Sequence, residues 1–207
     1  MSFKESLNNG KNTRISISPE IQALIFDCDG TLVDSMPTHM KAWEHAFKFF
    51  NTAYDENFLF SFKGMKDTDI VQIYNETFGT KLNAQDLVSK KIEYFIQNLN
   101  NVKPIKPVVD VALSYYKKLP LAVVSGSLKS VVYAELNFVN ILKLFDIIIT
   151  ADDPFKPKPD PEIFLAAATQ LKVHPEFCMV FEDGDAGLES ADKAGMKTFD
   201  VRTMYTG

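Results

Sequence analysis

Ala23-Leu24-Ile25-Phe26-Asp27-Cys28-Asp29-Gly30-Thr31-Leu32-Val33-Asp34-Ser35 is the stretch on which the fold turns. An apolar run ends abruptly in two aspartates set two positions apart. That pattern reads as a buried strand with both acids at its carboxyl end, where open α/β sheets bind their ligands. Like charges held so close repel, so ionising both needs a cation or a shared proton. The stretch therefore asks for a metal, a phosphate partner, or both. Asp and Gly also form turns, so a bare Asp-x-Asp-Gly would read equally as a strand ending in a solvated cap.

Working outward, apolar strands are expected at residues 121–124, 147–149, 178–181 and 198–201. Helices near residues 128–137, 161–170 and 187–194 separate them. This alternation implies a parallel, doubly wound α/β sheet of the Rossmann-like kind, and the strand at 23–26 must join it. Residues 37–103 show helical periodicity and almost no strand. Trp43, Phe47 and Phe50 form one apolar face. Ile70, Ile73, Tyr74 and Phe78 suggest a second helix, and Leu87, Ile92, Tyr94, Phe95 and Leu99 a third. These aromatics read as bundle core. Pro104-Ile105-Lys106-Pro107 looks like a hinge into a further helix. The expected organisation is an α/β core of residues 21–36 and 104–207, a helical insertion at 37–103, and a polar N-terminal extension at 1–20.

The chain has 207 residues, a hydrophobic content of 46% and a formal charge of −5. It carries no basic footprint, so nucleic acid is not an expected partner. Two cysteines, Cys28 and Cys178, fit interior or site-lining positions and no disulfide framework, which points to a reducing cytoplasm. There is neither a signal-peptide pattern near the N-terminus nor an apolar run that could span a bilayer, so no membrane partner is expected.

Three further motifs follow the aspartates in order. Leu121-Ala122-Val123-Val124-Ser125-Gly126-Ser127 is a strand ending in a hydroxyl and a Gly turn, suited to holding an anion at a helix N-terminus. Ser127 could equally cap the next helix. Phe155-Lys156-Pro157-Lys158-Pro159-Asp160-Pro161-Glu162-Ile163-Phe164 offers lysines in a proline-rich loop. Met179-Val180-Phe181-Glu182-Asp183-Gly184-Asp185-Ala186-Gly187 is again a strand ending in acids, hard oxygen ligands that suit Mg²⁺.

Together these four motifs resemble the signatures of the haloacid dehalogenase-like hydrolases. The resemblance covers nearly the whole chain from Ile21 onward and implies the phosphatase branch, with the helical insertion serving as a cap. It makes Asp27 the nucleophile, Asp29 the general acid/base, kept protonated by its neighbours, and Ser125 a phosphoryl ligand. In the pattern Lys-Pro-x-Pro-Asp it selects Lys156 rather than Lys158. It assigns Mg²⁺ to Asp27, the backbone carbonyl of Asp29, and Asp183, with Glu182 adjacent. Where the family often has Ser, this chain has Gly184. Gly126 and Ser127, with Lys63 and Lys66 in a cap loop, are implied to meet substrate. His39, close in sequence to the catalytic loop, and Lys90 are further candidates, while Lys91 is read as a solvated helix face. Pro37-Thr38-His39 with Lys41-Ala42-Trp43, Ser125-Gly126-Ser127 and Glu182-Asp183 look like bacterial phosphatases of fructose 1-phosphate and 6-phosphogluconate. The expected enzyme is thus a monomeric phosphatase of small phosphorylated sugars. A β-phosphoglucomutase is the alternative, and a non-catalytic phosphometabolite-binding protein a third.

Overall fold

In the computed structural model, which describes residue 15 and residues 17–204, every side chain of the first strand is buried. Along the chain come β1 (Ala23–Phe26), β2 (Val33–Asp34), α1 (Met36–Phe49), α2 (Glu56–Phe60), α3 (Asp67–Phe78), α4 (Ala84–Gln97) and β3 (Lys103–Pro104). There follow α5 (Lys106–Tyr115), β4 (Leu121–Val124), α6 (Lys129–Phe138), β5 (Ile147–Ile149), α7 (Glu162–Leu171), β6 (Cys178–Glu182), α8 (Asp185–Lys193) and β7 (Lys197–Asp200).

Five strands form one parallel sheet in the order β5-β4-β1-β6-β7. The chain steps outward from β1 to β4 and β5, then returns to the other side of β1 for β6 and β7. The carboxyl ends of β1, β4 and β6 therefore converge where the winding reverses. Strand side chains alternate between faces. Leu24 and Phe26 meet Val108 and Ala112 of α5 and Val132 and Leu136 of α6. Ala23 and Ile25 meet Phe164 and Ala167 of α7 and Ala191 of α8. Helices thus cover both faces, which is why the central strands β1 and β4 read as unbroken apolar runs.

Helices α1 to α4 build a separate apolar cluster around Trp43, Phe47, Tyr74 and Leu87. Pro37 sits in the first turn of α1, where its missing N–H costs nothing. Asn83 caps α4 by accepting from the Asp86 N–H at 3.2 Å, and Gly79 closes α3 in the left-handed region at φ 66°. An antiparallel ribbon joins β2 to β3, pairing Val33 with Pro104 and Asp34 with Lys103. Both chain crossings between the sheet and the helical insertion pass through it.

The helices of the sheet begin and end within two residues of the expected bounds, the usual uncertainty of helix ends. The last strand lies one residue earlier, at Lys197–Asp200. Of the expected N-terminal extension, residues 1–14 and 16 lie outside the described residues. Ile17 is buried with Ile21 on the sheet, and Ile15 packs beside them, so the end of that extension belongs to the core. Among the described residues no helix is long and apolar enough to cross a membrane.

Candidate active site

Asp27 leaves the end of β1 buried, its N–H donating to the Phe181 carbonyl at 3.0 Å. Its Oδ1 accepts from the Lys158 ammonium at 2.7 Å, and Glu182 Oε2 accepts from the same ammonium at 2.7 Å. Lys158 is 1% exposed, which makes this a desolvated ion triad. Despite burial, the charges of Asp27 and Glu182 hold the Lys158 ammonium above its ordinary range. Burial, then the Glu182 charge, push Asp27 well above the usual carboxylate range against the pull of Lys158. Glu182 is fully engaged, because its Oε1 also accepts from the N–H groups of Asp183 at 3.2 Å and Gly184 at 2.9 Å. The bare Cα of Gly187 permits this, since a Cβ there would overlap the Glu182 carboxylate.

Lys156, the lysine selected from sequence, lies elsewhere. Its side chain is 71% exposed and reaches only Asp160 at 3.8 Å and Glu162 at 3.9 Å. The loop contains Lys-Pro twice, and the copy two residues later is the one that enters the site. The anchor that fixes this register is α7, whose Ile163 and Phe164 are buried immediately after Pro161.

Asp29 is saturated. Oδ1 accepts from Ser35 Oγ at 2.6 Å and meets His39 Nε2 at 2.7 Å, while Oδ2 accepts from Ser127 Oγ at 2.8 Å and, at 3.5 Å, from Ser125 Oγ. Burial alone would raise Asp29, but the His39 charge and the hydrogen bonds around it hold it well below the carboxylate range. Burial and the Lys91 charge would lower His39, yet Asp29 lifts it to about 9. Within this pair an ionised Asp29 beside a protonated His39 is the favoured arrangement. Ser127 does not cap α6; it serves Asp29, and Asp152 accepts from the Lys129 N–H at 2.5 Å in its stead.

Asp183 completes the cluster. Its Oδ2 accepts from Lys63 Nζ at 3.0 Å, and Thr31 Oγ1 lies 3.4 Å from Oδ1. Gly30 adopts φ 83° against it, and a Cβ at Gly30 would overlap the carboxylate. Burial and the Glu182 charge raise Asp183. Oxygens of Asp27, Glu182 and Asp183 lie within 4.8 Å of one another. Such crowded hard donors fit a divalent cation, whose charge would relieve the strain on Asp27 and Asp183. Lys158 and two N–H groups already occupy Glu182, so it is the weakest ligand of the three. The Asp29 carboxylate is likewise engaged, by Ser35, His39 and Ser127.

The haloacid dehalogenase-like hydrolase family matches residues 24–201, the stretch that carries all of these groups. The chain belongs to that family. It is 36% identical over 182 residues to fructose-1-phosphate phosphatase YqaB of Escherichia coli strain K12, covering 87% of this chain and 96% of that protein. It is 29% identical to the 6-phosphogluconate phosphatase of the same organism, over 86% of this chain and 82% of the relative. A crystal structure of β-phosphoglucomutase from Clostridium difficile shares the fold, with a TM-score of 0.74 at 24% identity over 90% of this chain and 88% of that one.

In this haloacid dehalogenase-like hydrolase the helical insertion closes directly over the aspartates. A Cβ on Gly126 would overlap the Gly64 carbonyl, so the loop carrying Lys63 and Gly64 rests on the end of β4. Between the two parts lies a cleft bordered by Asp27, Asp29, His39, Trp43, Lys63 and Lys91. Lys91 is 3% exposed, bonded to Asp67 at 2.6 Å, with its ammonium 4.7 Å from the Trp43 ring centre. The sequence reading of Lys91 as a solvated face is thereby corrected. It is Lys90 that lies on the outer face, paired with Glu93 at 2.7 Å. Lys66 borders a second cavity beside Ser125, Gly126 and Lys158. Helical phase decides between Lys90 and Lys91, since Leu87, Val88, Lys91 and Phe95 share the buried stripe of α4. Glu135 of α6, wholly buried, is a further charged group that the sequence did not flag.

Proposed function

We propose that this hydrolase is a phosphatase of phosphorylated sugars that works through an aspartyl-phosphate on Asp27. The observation that carries the reading is one cleft bordered by two differently held aspartates. Lys158 pins Asp27 at 2.7 Å, and His39 meets Asp29 at 2.7 Å. Two carboxylates pushed apart in this way are suited to separate roles.

Asp27 attacks phosphorus in line, forming an oxygen–phosphorus bond as the bond to the sugar oxygen breaks. The departing oxygen takes a proton that His39 passes through Asp29 across their 2.7 Å contact, which leaves Asp29 ionised and His39 neutral. Asp29 then takes a proton from water and returns it to His39, while the water oxygen attacks phosphorus, the bond from phosphorus to Asp27 breaks and phosphate is released. Lys158 offsets charge on the phosphoryl oxygens, and Ser125 and the turn through Gly126 and Ser127 bind them. Mg²⁺, held by Asp27, Asp183 and the Asp29 carbonyl, supplies further neutralisation of those oxygens when bound. Closure of the helical cap keeps bulk water away from the intermediate.

Trp43 offers an apolar face to a sugar ring, while Lys91, Asp67 and Lys63 offer polar contacts to its hydroxyls or a distal anion. The likeness to the two phosphatases makes fructose 1-phosphate and 6-phosphogluconate the preferred substrates. The enzyme works as a monomer in the cytoplasm, where Cys28 and Cys178, both buried and unpaired, remain thiols.

Phosphate release from fructose 1-phosphate and 6-phosphogluconate, with and without Mg²⁺ and beside Asp27→Asn, tests this. Metal-dependent release that falls at least about a thousandfold in the variant is expected. Release that survives Asp27→Asn would overturn the covalent mechanism. Conversion of β-glucose 1-phosphate to glucose 6-phosphate, without release, would favour a mutase.

A further inference from the structure

Glu135 projects from α6 toward Asp29 and is not among the residues that border the cleft. It is wholly buried, and its Oε1 lies 3.7 Å from His39 Nε2. Cys28 Sγ donates to Oε2 at 3.5 Å, and oxygens of Glu135 and Asp29 fall within 4.8 Å of each other and of that sulfur. Neither Glu135 Oε1 nor His39 Nδ1 has a hydrogen-bond partner among the described residues. The neighbours of Glu135 on the buried face of α6 are Val131, Val132 and Leu136. Packing alone would favour another aliphatic side chain there, because burying a carboxyl is costly without compensation. The mechanism above leaves this group without a task. Its location supplies one: His39 belongs to α1 of the cap and Glu135 to α6 of the core, so a second core carboxyl faces the same imidazole nitrogen, Nε2, that Asp29 meets.

We propose that Glu135 is a positioning residue that, from the core, fixes the His39 ring and through it the orientation in which Asp29 serves the leaving oxygen. This rests on the phosphatase reading. Phe95 stacks on the imidazole with ring centres 4.0 Å apart and sets the plane of the ring, but stacking tolerates the half-turn about the Cβ–Cγ bond that would put Cε1 where Nε2 stands. Glu135, facing Nε2 beside Asp29, favours the orientation that keeps the nitrogen there. Asp29 therefore meets the cleft in one geometry rather than several.

The test compares two leaving groups. A sugar alkoxide must be protonated as it departs; p-nitrophenolate need not be. Because kcat/KM reports the steps through phosphoryl transfer to Asp27, misplacement of Asp29 should show on the first substrate and not on the second. Glu135→Leu is expected to lower kcat/KM for fructose 1-phosphate about tenfold or more, while that for p-nitrophenyl phosphate stays within about threefold. Glu135→Gln, which keeps the shape and an acceptor, should restore most of the loss. The ratio of the two rates, taken on one preparation, does not depend on the fraction of folded enzyme. Equal losses on both substrates, or no loss on either, would overturn the assignment. A wild type silent on both would instead remove the phosphatase reading on which it stands.

Discussion

Lys156 and Lys158 stand two positions apart in one proline-rich loop, yet one is solvated and the other is buried between two acids. Removing one partner of a buried ion cluster leaves uncompensated charge and costs about 3–5 kcal/mol. Lys158→Met is therefore expected to lower stability by that order and to abolish phosphate release, because Asp27 loses its restraint. Lys156→Met should stay within about 0.5 kcal/mol of wild type, as surface changes usually do. Urea unfolding and phosphate release on both variants check this; a harmless Lys158→Met would refute the placement. At this scale the sequence was most readable where a strand ends. An apolar run points straight at Asp27, Asp29, Ser125 and Asp183, and the structure gathers all four at the carboxyl ends of β1, β4 and β6. Lys158, Lys91 and Glu135 were harder, since burial of a charged side chain depends on what packs over it. For Lys91, the phase of Leu87, Val88 and Phe95 was the available signal. For Glu135, it was a lone acid in an aliphatic stripe.

Elements obeyed the same division between local and distant causes. The strands of the sheet were legible because helices cover both faces and force continuous apolar runs. Helix α2, at five residues, is too short to show a period, and the two-residue strands β2 and β3 carry no pattern at all. Their pairing is a product of the whole fold, and it ties the crossings into a ribbon at the base of the cap. The close approach of the cap loop to the core depends on a glycine of the second motif, Gly126. Because a Cβ at Gly126 would overlap the Gly64 carbonyl, Gly126→Ala should hold the cap loop away from the core. Misplacement on the order of 1 Å can cost about a hundredfold in rate. We expect kcat/KM for the sugar phosphate to fall ten- to a hundredfold, by about that mechanism, with the unfolding midpoint little changed. Faster limited proteolysis in the loop around Gly64 should accompany the loss. Unaltered kinetics would mean that the loop yields at no cost.

Across the whole molecule, a chain of net charge −5 gathers its acids at one point of the sheet. Asp27, Glu182 and Asp183 face Lys158 and, through Asp183, Lys63. Burial and mutual repulsion work against ionisation of Asp27 and Asp183, so the folded protein carries that cost until a cation arrives. A ligand that binds only the folded state stabilises it by about 2.7 kcal/mol at a hundred times its Kd. For a chain of this size that corresponds to a rise in Tm of roughly 5 to 10 °C. Adding Mg²⁺ should produce such a rise, and chelation should reverse it together with phosphate release. Asp183→Asn sharpens the test. Without metal, the variant loses the Lys63 pair but also sheds a charge that burial and Glu182 disfavour, so it should melt no lower than wild type. With metal it should lose most of the rise, since the remaining Asp27 carboxylate is already bound to Lys158. A Mg²⁺-dependent rise that is undiminished in Asp183→Asn would place the cation elsewhere in the molecule and free Asp183 for the cap alone, through Lys63.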